Sequence, residues 1–194
     1  MKGDRFRLEL ATPEGALVIV EPTPDDVAVH AAELRAMYND AHNRSMMGHD
    51  EMTDADVIEH FADMHRDGAR AFLFFQDGIF VGDGDLRGIE DGAAELAIMI
   101  GARASQGRGL GTRFAMMLHA FAFRTLGLAK VYVGIVPGND ASRRLFEKLG
   151  YRVDDSAEAR AYADHESDVM MSIDRASFEA VHAAALDAIL TRRC

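Results

Sequence analysis

The chain has 194 residues, 48 % hydrophobic and 27 % charged, with a formal net charge of −11 and one cysteine, Cys194. This is the balance of a globular domain long enough for its own core, and we expect one domain over residues 1–194. The acidic balance excludes binding driven by nucleic-acid phosphates and suits cationic partners; the lone cysteine excludes a disulfide framework. No apolar run reaches the ~18 residues of a membrane span, and Met1–Arg5 is not followed by a signal-type apolar stretch, so a cytoplasmic location is expected.

In chain order, Ala16–Glu21 is an apolar, β-branched run that reads as the first strand, stopped by Pro22 and Pro24. Asp25 or Asp26 caps a helix toward Tyr38, with Val27, Ala31, Leu34 and Tyr38 on one face. Asn39–Met52 is polar and Met-rich and reads as a loop. Thr53 caps the next helix, whose apolar face is Val57, Ile58, Phe61 and Met64 and which Gly68 ends. Ala71–Phe75 is a strand, Gln76-Asp77-Gly78 a hairpin turn, and Ile79–Leu86 the start of the returning strand, with a bulge expected at Gly82 and Gly84. Ala93–Ile100 follows the turn at Ile89–Gly92 as a buried strand.

Past the glycine-rich segment Gln106-Gly107-Arg108-Gly109-Leu110-Gly111, apolar residues recur at Leu110, Phe114, Met117, Leu118 and Phe121, a helical stripe that Gly127 closes. Val131–Val136 is a strand, Asp140–Leu149 a helix closed by Gly150, and Tyr151–Val153 the start of a strand. Asp154–His165 reads as loop or partial strand, Asp168–Ile173 as the last strand, and Arg175–Leu190 as a terminal helix with Phe178, Val181, Ala185, Leu186 and Ile189 on one side. The alternation of strands and helices predicts a mixed α/β (α+β) fold.

A strand, a glycine-rich turn and a helix start make an anion site. Backbone N–H groups converge there without partners, and the helix dipole favours negative charge. The Walker A pattern is absent, because no Gly-Lys-Ser/Thr closes the loop, and the dinucleotide fingerprint G-x-G-x-x-G fails at Thr112. The pattern that fits is Q/R-x-x-G-x-G, as Gln106, Gly109 and Gly111. A second block, Asn139-Asp140-Ala141-Ser142-Arg143-Arg144-Leu145-Phe146-Glu147-Lys148-Leu149-Gly150-Tyr151, follows in order.

Together the two blocks resemble the GNAT (Gcn5-related) N-acetyltransferases, more loosely over roughly residues 15–175. The resemblance implies the GNAT fold: a mixed, mostly antiparallel central sheet flanked by helices, with an acetyl-CoA site at a splayed strand pair. It implies that Gln106, Gly107, Arg108, Gly109, Leu110, Gly111 and Thr112 cradle the pyrophosphate of acetyl-CoA, with Arg108 and Arg113 adding charge. Met99, Ile100 and Gly101 fall where the fourth strand offers backbone groups to the pantetheine arm. Asn139, Ser142 and Phe146 fall on the late-block positions that contact CoA. The helix from about 175 to 191 is an appendage to that fold. Ile100-Gly101 and the Phe121–Leu128 helix end look most like the branch that holds ribosomal-protein N-terminal acetyltransferases.

Glu95, eleven residues before Gln106, resembles the fourth-strand glutamate that serves some members as general base. The reaction needs one, because a protonated amine cannot attack a thioester. At Phe146 the sequence departs from the family, many members of which carry a tyrosine there as general acid. Phenylalanine has no proton to give, which leaves solvent, Ser142 or another tyrosine. Tyr151 occupies an aromatic core position. His42, His49, His60 and His65 have no metal-ligand spacing, and no metal is expected; they line an acceptor pocket or face solvent. The function expected is acetyl transfer from acetyl-CoA to a primary amine in a ternary complex, with a protein N-terminus or a small-molecule amine as acceptor. The alternatives are a polyamine, aminoglycoside or amino-acid acetyltransferase, and a non-catalytic CoA-binding module. A homodimer is expected by analogy.

Overall fold

The structure, a computed structural model, describes residues 4–47, 50–101 and 109–194. In chain order the elements are β1 (Phe6–Thr12), β2 (Gly15–Val20), α1 (Pro24–Tyr38), α2 (Ala41–Met47), α3 (Asp54–Arg66), β3 (Arg70–Gln76), β4 (Ile79–Glu90) and β5 (Ala93–Ile100). There follow α4 (Leu110–Ala120), prolonged by a π-helical turn at Phe121–Thr125, then β6 (Lys130–Ile135), α5 (Asp140–Lys148), β7 (Arg152–Val153), α6 (Ala157–Arg160), β8 (Val169–Asp174), α7 (Arg175–Asp187) and β9 (Leu190–Arg193). The strands form one sheet in the order β7-β8-β6-β5-β4-β3-β2-β1-β9. Every pairing in it is antiparallel except β5 with β6.

Local chemistry starts the helices. Thr23 accepts from the Asp26 N–H at 3.0 Å while the Asp26 carboxylate accepts from the Thr23 N–H at 2.7 Å, with Pro24 in the first turn of α1. Thr53 and Asp56 repeat this reciprocal cap at α3. Each cap satisfies two N–H groups that the helix itself leaves unpaired, worth about 1 kcal/mol per cap side chain.

Two apolar layers clamp the sheet. On one face Leu110, Phe114, Met117, Leu118 and Phe121 are at most 2 % exposed and pack with Leu86, Leu96, Val131 and Val133. Phe114 stacks on Phe74 with ring centroids 4.2 Å apart. On the other face Val27, Leu34, Met37 and Tyr38 of α1 pack with Val57 and Phe61 of α3 over Leu73, Phe75, Phe80 and Met99.

Several expectations are corrected. A strand precedes Ala16: Phe6 and Leu8 of β1 are buried in the core and Leu10 packs against it. Asn39–Met52 contains α2, which begins where the Asp40 carboxylate accepts from the His42 and Asn43 N–H groups at 3.0 and 3.2 Å. Asp154–His165 contains the single helical turn α6, capped by Ser156. The terminal helix stops at Asp187, and β9 follows and pairs with β1, so β8 is not the last strand. The C-terminal segment is more than an appendage, since Phe178 and Leu186 lie in the main core; Val181, expected beside them, is exposed. Ile58 also lies largely outside the apolar face assigned to it. The bulge expected near Gly82 is present: the β3 register skips Val81, which turns Asp83, Asp85 and Arg87 to the face that α1 covers.

Candidate acetyl-transfer site

The β5–β6 ladder holds Ala93 with Lys130, Ala94 with Val131 and Glu95 with Tyr132, and ends there. Both strands continue, β5 to Ile100 and β6 to Ile135. Beyond Glu95 they part and leave a wedge between two backbone edges. The β4 pairing sets which groups of β5 face it. Gly101 donates its N–H to the Val81 carbonyl at 3.0 Å, and Met99 is registered on Asp83. Backbone direction alternates along a strand, so the odd-numbered residues of β5 turn toward β4, and Leu96, Ile98 and Ile100 turn toward the wedge. The expectation that Met99 and Gly101 offer backbone groups to a ligand in this wedge is therefore corrected by one position. The parity that suits a ligand is that of Ile98 and Ile100.

One end of the wedge meets the start of α4. Gly109 is the N-cap, with φ of 80°, a left-handed conformation that glycine adopts without strain, and no side chain caps the helix there. Among the described residues no side chain caps the first-turn N–H groups of Leu110, Gly111 and Thr112, and the helix dipole reinforces their pull on an anion. Gln106, Gly107 and Arg108 lie outside the described residues. Arg113 is paired with Glu14 at 2.8 Å, so its charge is already engaged. Across from Gly111 stands α5, where a Cβ on Gly111 would come within 2.8 Å of Leu145. Asn139 caps α5 by accepting from the Ser142 N–H at 3.1 Å. Ser142 is half-buried, whereas Phe146 is sunk in the core against Tyr151.

Tyr151 is a packing residue. Its hydroxyl donates to Nε2 of His119 at 2.6 Å, and Nδ1 of His119 donates to the Ala115 carbonyl at 2.6 Å. Burial pushes the His119 pKa down to about 4, which keeps the ring neutral and fixes the tautomer this chain of bonds requires.

On the face away from α4, the mouth of the wedge is acidic. Glu95 is 6 % exposed; its Oε2 lies 3.1 Å from Nε of Arg87, its cross-strand partner. That contact is one of charge, because the Arg87 Nε–H has no aligned hydrogen-bond acceptor. Arg87 also stands 3.6 Å from Asp85 and 3.8 Å from Asp164. Burial raises the Glu95 pKa, Arg87 lowers it, Asp164 and Asp85 raise it and the Gly134 N–H lowers it; the net result is about 7. Burial likewise lifts Asp85 to about 6 and Asp83 to about 7, the latter although Tyr38 donates a hydrogen bond to it. Tyr132 and Tyr162 stack at 4.7 Å and wall the side toward β8.

This acidic set, apart from Glu95, was not found by sequence reasoning. Its available signal was Asp83, Asp85 and Arg87 at alternate positions of a strand, which puts three charges on one face. Nothing local reveals that Glu95 lies across from them. Of the histidines, His42, His60 and His65 are exposed, and His49 lies outside the described residues. Among the described residues no group of three His, Cys, Asp or Glu side chains is arranged to hold a metal ion, and no helix is long and apolar enough to cross a membrane.

Comparison with known proteins agrees with this geometry. The family profile described as "Acetyltransferase (GNAT) domain" matches residues 16–152. Alpha/beta-tubulin-N-acetyltransferase 9 of Homo sapiens is 37 % identical over 57 residues, 29 % of this chain and only 28 % of that one. Among solved structures, aminoglycoside acetyltransferase AAC(6')-Ib in complex with coenzyme A is similar with a TM-score of 0.71 at 20 % identity, over 86 % of this chain and 99 % of that one. Mycobacterium smegmatis RimJ in complex with CoA-disulfide gives 0.73 at 18 %, over 92 % and 94 %. Spermidine N-acetyltransferase from Vibrio cholerae in complex with CoA and spermine gives 0.66 at 18 %, over 84 % and 97 %. At these identities the likeness to solved structures shows the fold; the family profile, which spans most of the chain, shows that the protein belongs to the GNAT acetyltransferases.

Proposed function

We propose that the protein transfers an acetyl group from acetyl-CoA to a cationic primary amine that approaches from the acidic face, with Glu95 as general base. The observation that carries this reading is the buried Glu95 carboxylate at the point where β5 and β6 part, with its pKa raised to about 7. In this reading the N–H groups of Gly109 to Thr112 bind the pyrophosphate, with Gln106, Gly107 and Arg108 completing the loop. The pantetheine arm lies along the edge of β5 at Ile98 and Ile100, and Asn139 and Ser142 flank it from α5. Acetyl-CoA supplies an acetyl group activated as a thioester.

The amine arrives as an ammonium ion. At pH 7 neutralising a lysine-like amine of pKa about 10.4 costs about 4.6 kcal/mol, and an α-amino group near 7.7–8.0 about 1–1.4 kcal/mol. Glu95 takes that proton. The nitrogen attacks the thioester carbonyl, a C–N bond forms, the C–S bond breaks, and the thiolate leaves. The nitrogen, positively charged after the attack, gives up its second proton as the C–S bond breaks; Phe146 has no proton to donate, so that second proton reaches the thiolate through solvent and the amide is left neutral. The acidic wall of Asp83, Asp85 and Glu95 supports a cationic acceptor, and the protein N-terminus and the small-molecule amine both satisfy it. The RimJ likeness favours the first; the aminoglycoside and spermidine enzymes favour the second.

The test is a thiol-release screen with acetyl-CoA over peptides with free N-termini, aminoglycosides, polyamines and amino acids, with products identified by mass. Acetylated amine from one class identifies the acceptor. Binding of acetyl-CoA with no transfer to any amine would overturn the catalytic reading and leave a CoA-binding module, the alternative that Phe146 favours.

A further inference from the structure

We propose that Asp168 is a second carboxylate of the acceptor site, which holds the positive charge of the incoming amine while Glu95 takes its proton. This rests on the reading that the amine enters from the Glu95 side. Asp168 immediately precedes β8, and β8 pairs with β6 through Val169 with Ile135 and Met170 with Gly134. That register carries Asp168 to the open end of the wedge, on the wall opposite β5.

Gly134 lies between the two carboxylates. A Cβ placed on it would stand 3.3 Å from Glu95 Oε1 and 3.8 Å from Asp168 Oδ2. Both oxygens therefore face the same stretch of β6, together with Met170 Sδ at 3.6 Å from that position, and no side chain of residue 134 stands between them. A charge-assisted N–H···O bond is about 2.7–2.9 Å long, shorter than either distance, so the two side chains close on an ammonium group by rotamer adjustment when it binds between them.

The surroundings of Asp168 leave it with unspent bonding capacity. It is 5 % exposed. Oδ2 accepts from the His165 N–H at 3.0 Å, and the backbone N–H of Asp168 donates back to the His165 carbonyl at 3.1 Å. Arg160, the nearby guanidinium, donates to the Asp168 backbone carbonyl at 2.7 Å and pairs with Asp155, not with the Asp168 carboxylate. Arg87 is committed on the far side to Glu95, Asp85 and Asp164. Oδ1 is buried without a hydrogen-bond partner, and no ion pair among the described residues involves this carboxylate. A residue needed only to hold the 165–168 turn has no use for a second, buried and unmatched oxygen. Such an oxygen is costly until a donor meets it; Oδ2, the oxygen nearer Gly134, still has a lone pair beyond the His165 bond, so an ammonium group between the strands has both oxygens of this carboxylate to meet.

The experiment compares wild type and Asp168→Asn with two acceptors at pH 7: butylamine, which is cationic, and methoxyamine, which is neutral. Asparagine keeps an acceptor for the His165 N–H, removes the charge and replaces the second oxygen with an N–H donor that cannot hold a cation. The proposal expects KM for butylamine to rise about ten- to hundredfold, the factor carried by a hydrogen bond to a charged group. It expects KM for methoxyamine and for acetyl-CoA to change less than about threefold on the same scale. An equal loss with both amines would mark a structural role and overturn the proposal, as would an unchanged butylamine KM. Gly134→Ala, whose methyl group stands between the two carboxylates, is expected to slow both amines without weakening acetyl-CoA binding; full activity in that variant would also overturn it. If wild type acetylates neither amine nor any acceptor in the screen, the acetyl-transfer reading fails, and this inference with it.

Discussion

Replacing Glu95 with glutamine removes a proton acceptor while keeping the shape of the side chain. The fold should tolerate it, because Arg87 retains Asp85 and Asp164 as counter-charges and the buried site loses a charge. The kinetic cost is larger. A positioned general base contributes about 10²–10⁴-fold, and here it must deprotonate an amine that is almost wholly protonated at pH 7. With the Glu95 pKa at about 7, wild-type kcat/KM should rise with pH through a limb centred near 7, where the carboxylate ionises in the free enzyme. Glu95→Gln should lose at least about a hundredfold at pH 7 and lose that limb, leaving a rate that climbs with hydroxide until the amine itself is neutral. The assay is initial-rate thiol release at saturating acetyl-CoA from pH 5.5 to 9.5, with the identified acceptor. A variant within about twofold of wild type, with the limb still in place, would refute the assignment of Glu95 as base.

Other outcomes follow from the same geometry. Arg87 holds the Glu95 carboxyl down against burial, so Arg87→Met should move the limb of kcat/KM to higher pH; a limb that stays or moves down contradicts the role given to Arg87. Asp83 has a folded pKa of about 7 against an ordinary value of 3.8, so its contribution to stability is fully present below about pH 4 and is lost as pH rises through 7, on the order of 4 kcal/mol by pH 8. Asp83→Asn, which still accepts the Tyr38 hydroxyl, should raise Tm much more at pH 8 than at pH 5, and an equal change at both would contradict this. Phe114→Ala should cost about 3–5 kcal/mol in denaturant unfolding, because the ring is fully buried and stacked on Phe74; a loss under about 1 kcal/mol would mean the core is not built as described. Gly109→Ala forces a side chain into the left-handed region at the α4 N-cap, so acetyl-CoA should bind more weakly while the Tm stays within a few degrees. Unchanged affinity would remove that helix end from the cofactor site.

Where local chemistry decided structure, the sequence was readable. The cap at Thr53, the apolar stripe of α4 and the Asp77-Gly78 hairpin are each written within a few neighbouring residues; at α1 the cap is Thr23, not Asp25 or Asp26, because Pro24 opens the helix and Asp26 serves as the third-residue partner of the capping box. β9 was not readable, because Leu190–Arg193 is an exposed edge strand that forms only by pairing with β1. β1 carried its signal in the alternation of Phe6, Leu8 and Leu10, which went unassigned. The candidate site divides in the same way. The glycine pattern and Glu95 lie in one continuous stretch, whereas Asp168 reaches the wedge only through the β6–β8 register, seventy-odd residues after Glu95. The shift from Met99 and Gly101 to Ile98 and Ile100 depends on one hydrogen bond, Gly101 to Val81, which no motif encodes.

The measurement that bears most directly on this account is a crystal structure of the protein with acetyl-CoA. We expect the pyrophosphate on the N–H groups that open α4, the pantetheine arm between β5 and β6 along Ile98 and Ile100, and the thioester carbonyl at the mouth of the wedge beside Glu95. An acetyl group that emerges on the α4 face, or a cofactor lying outside the wedge, would contradict it.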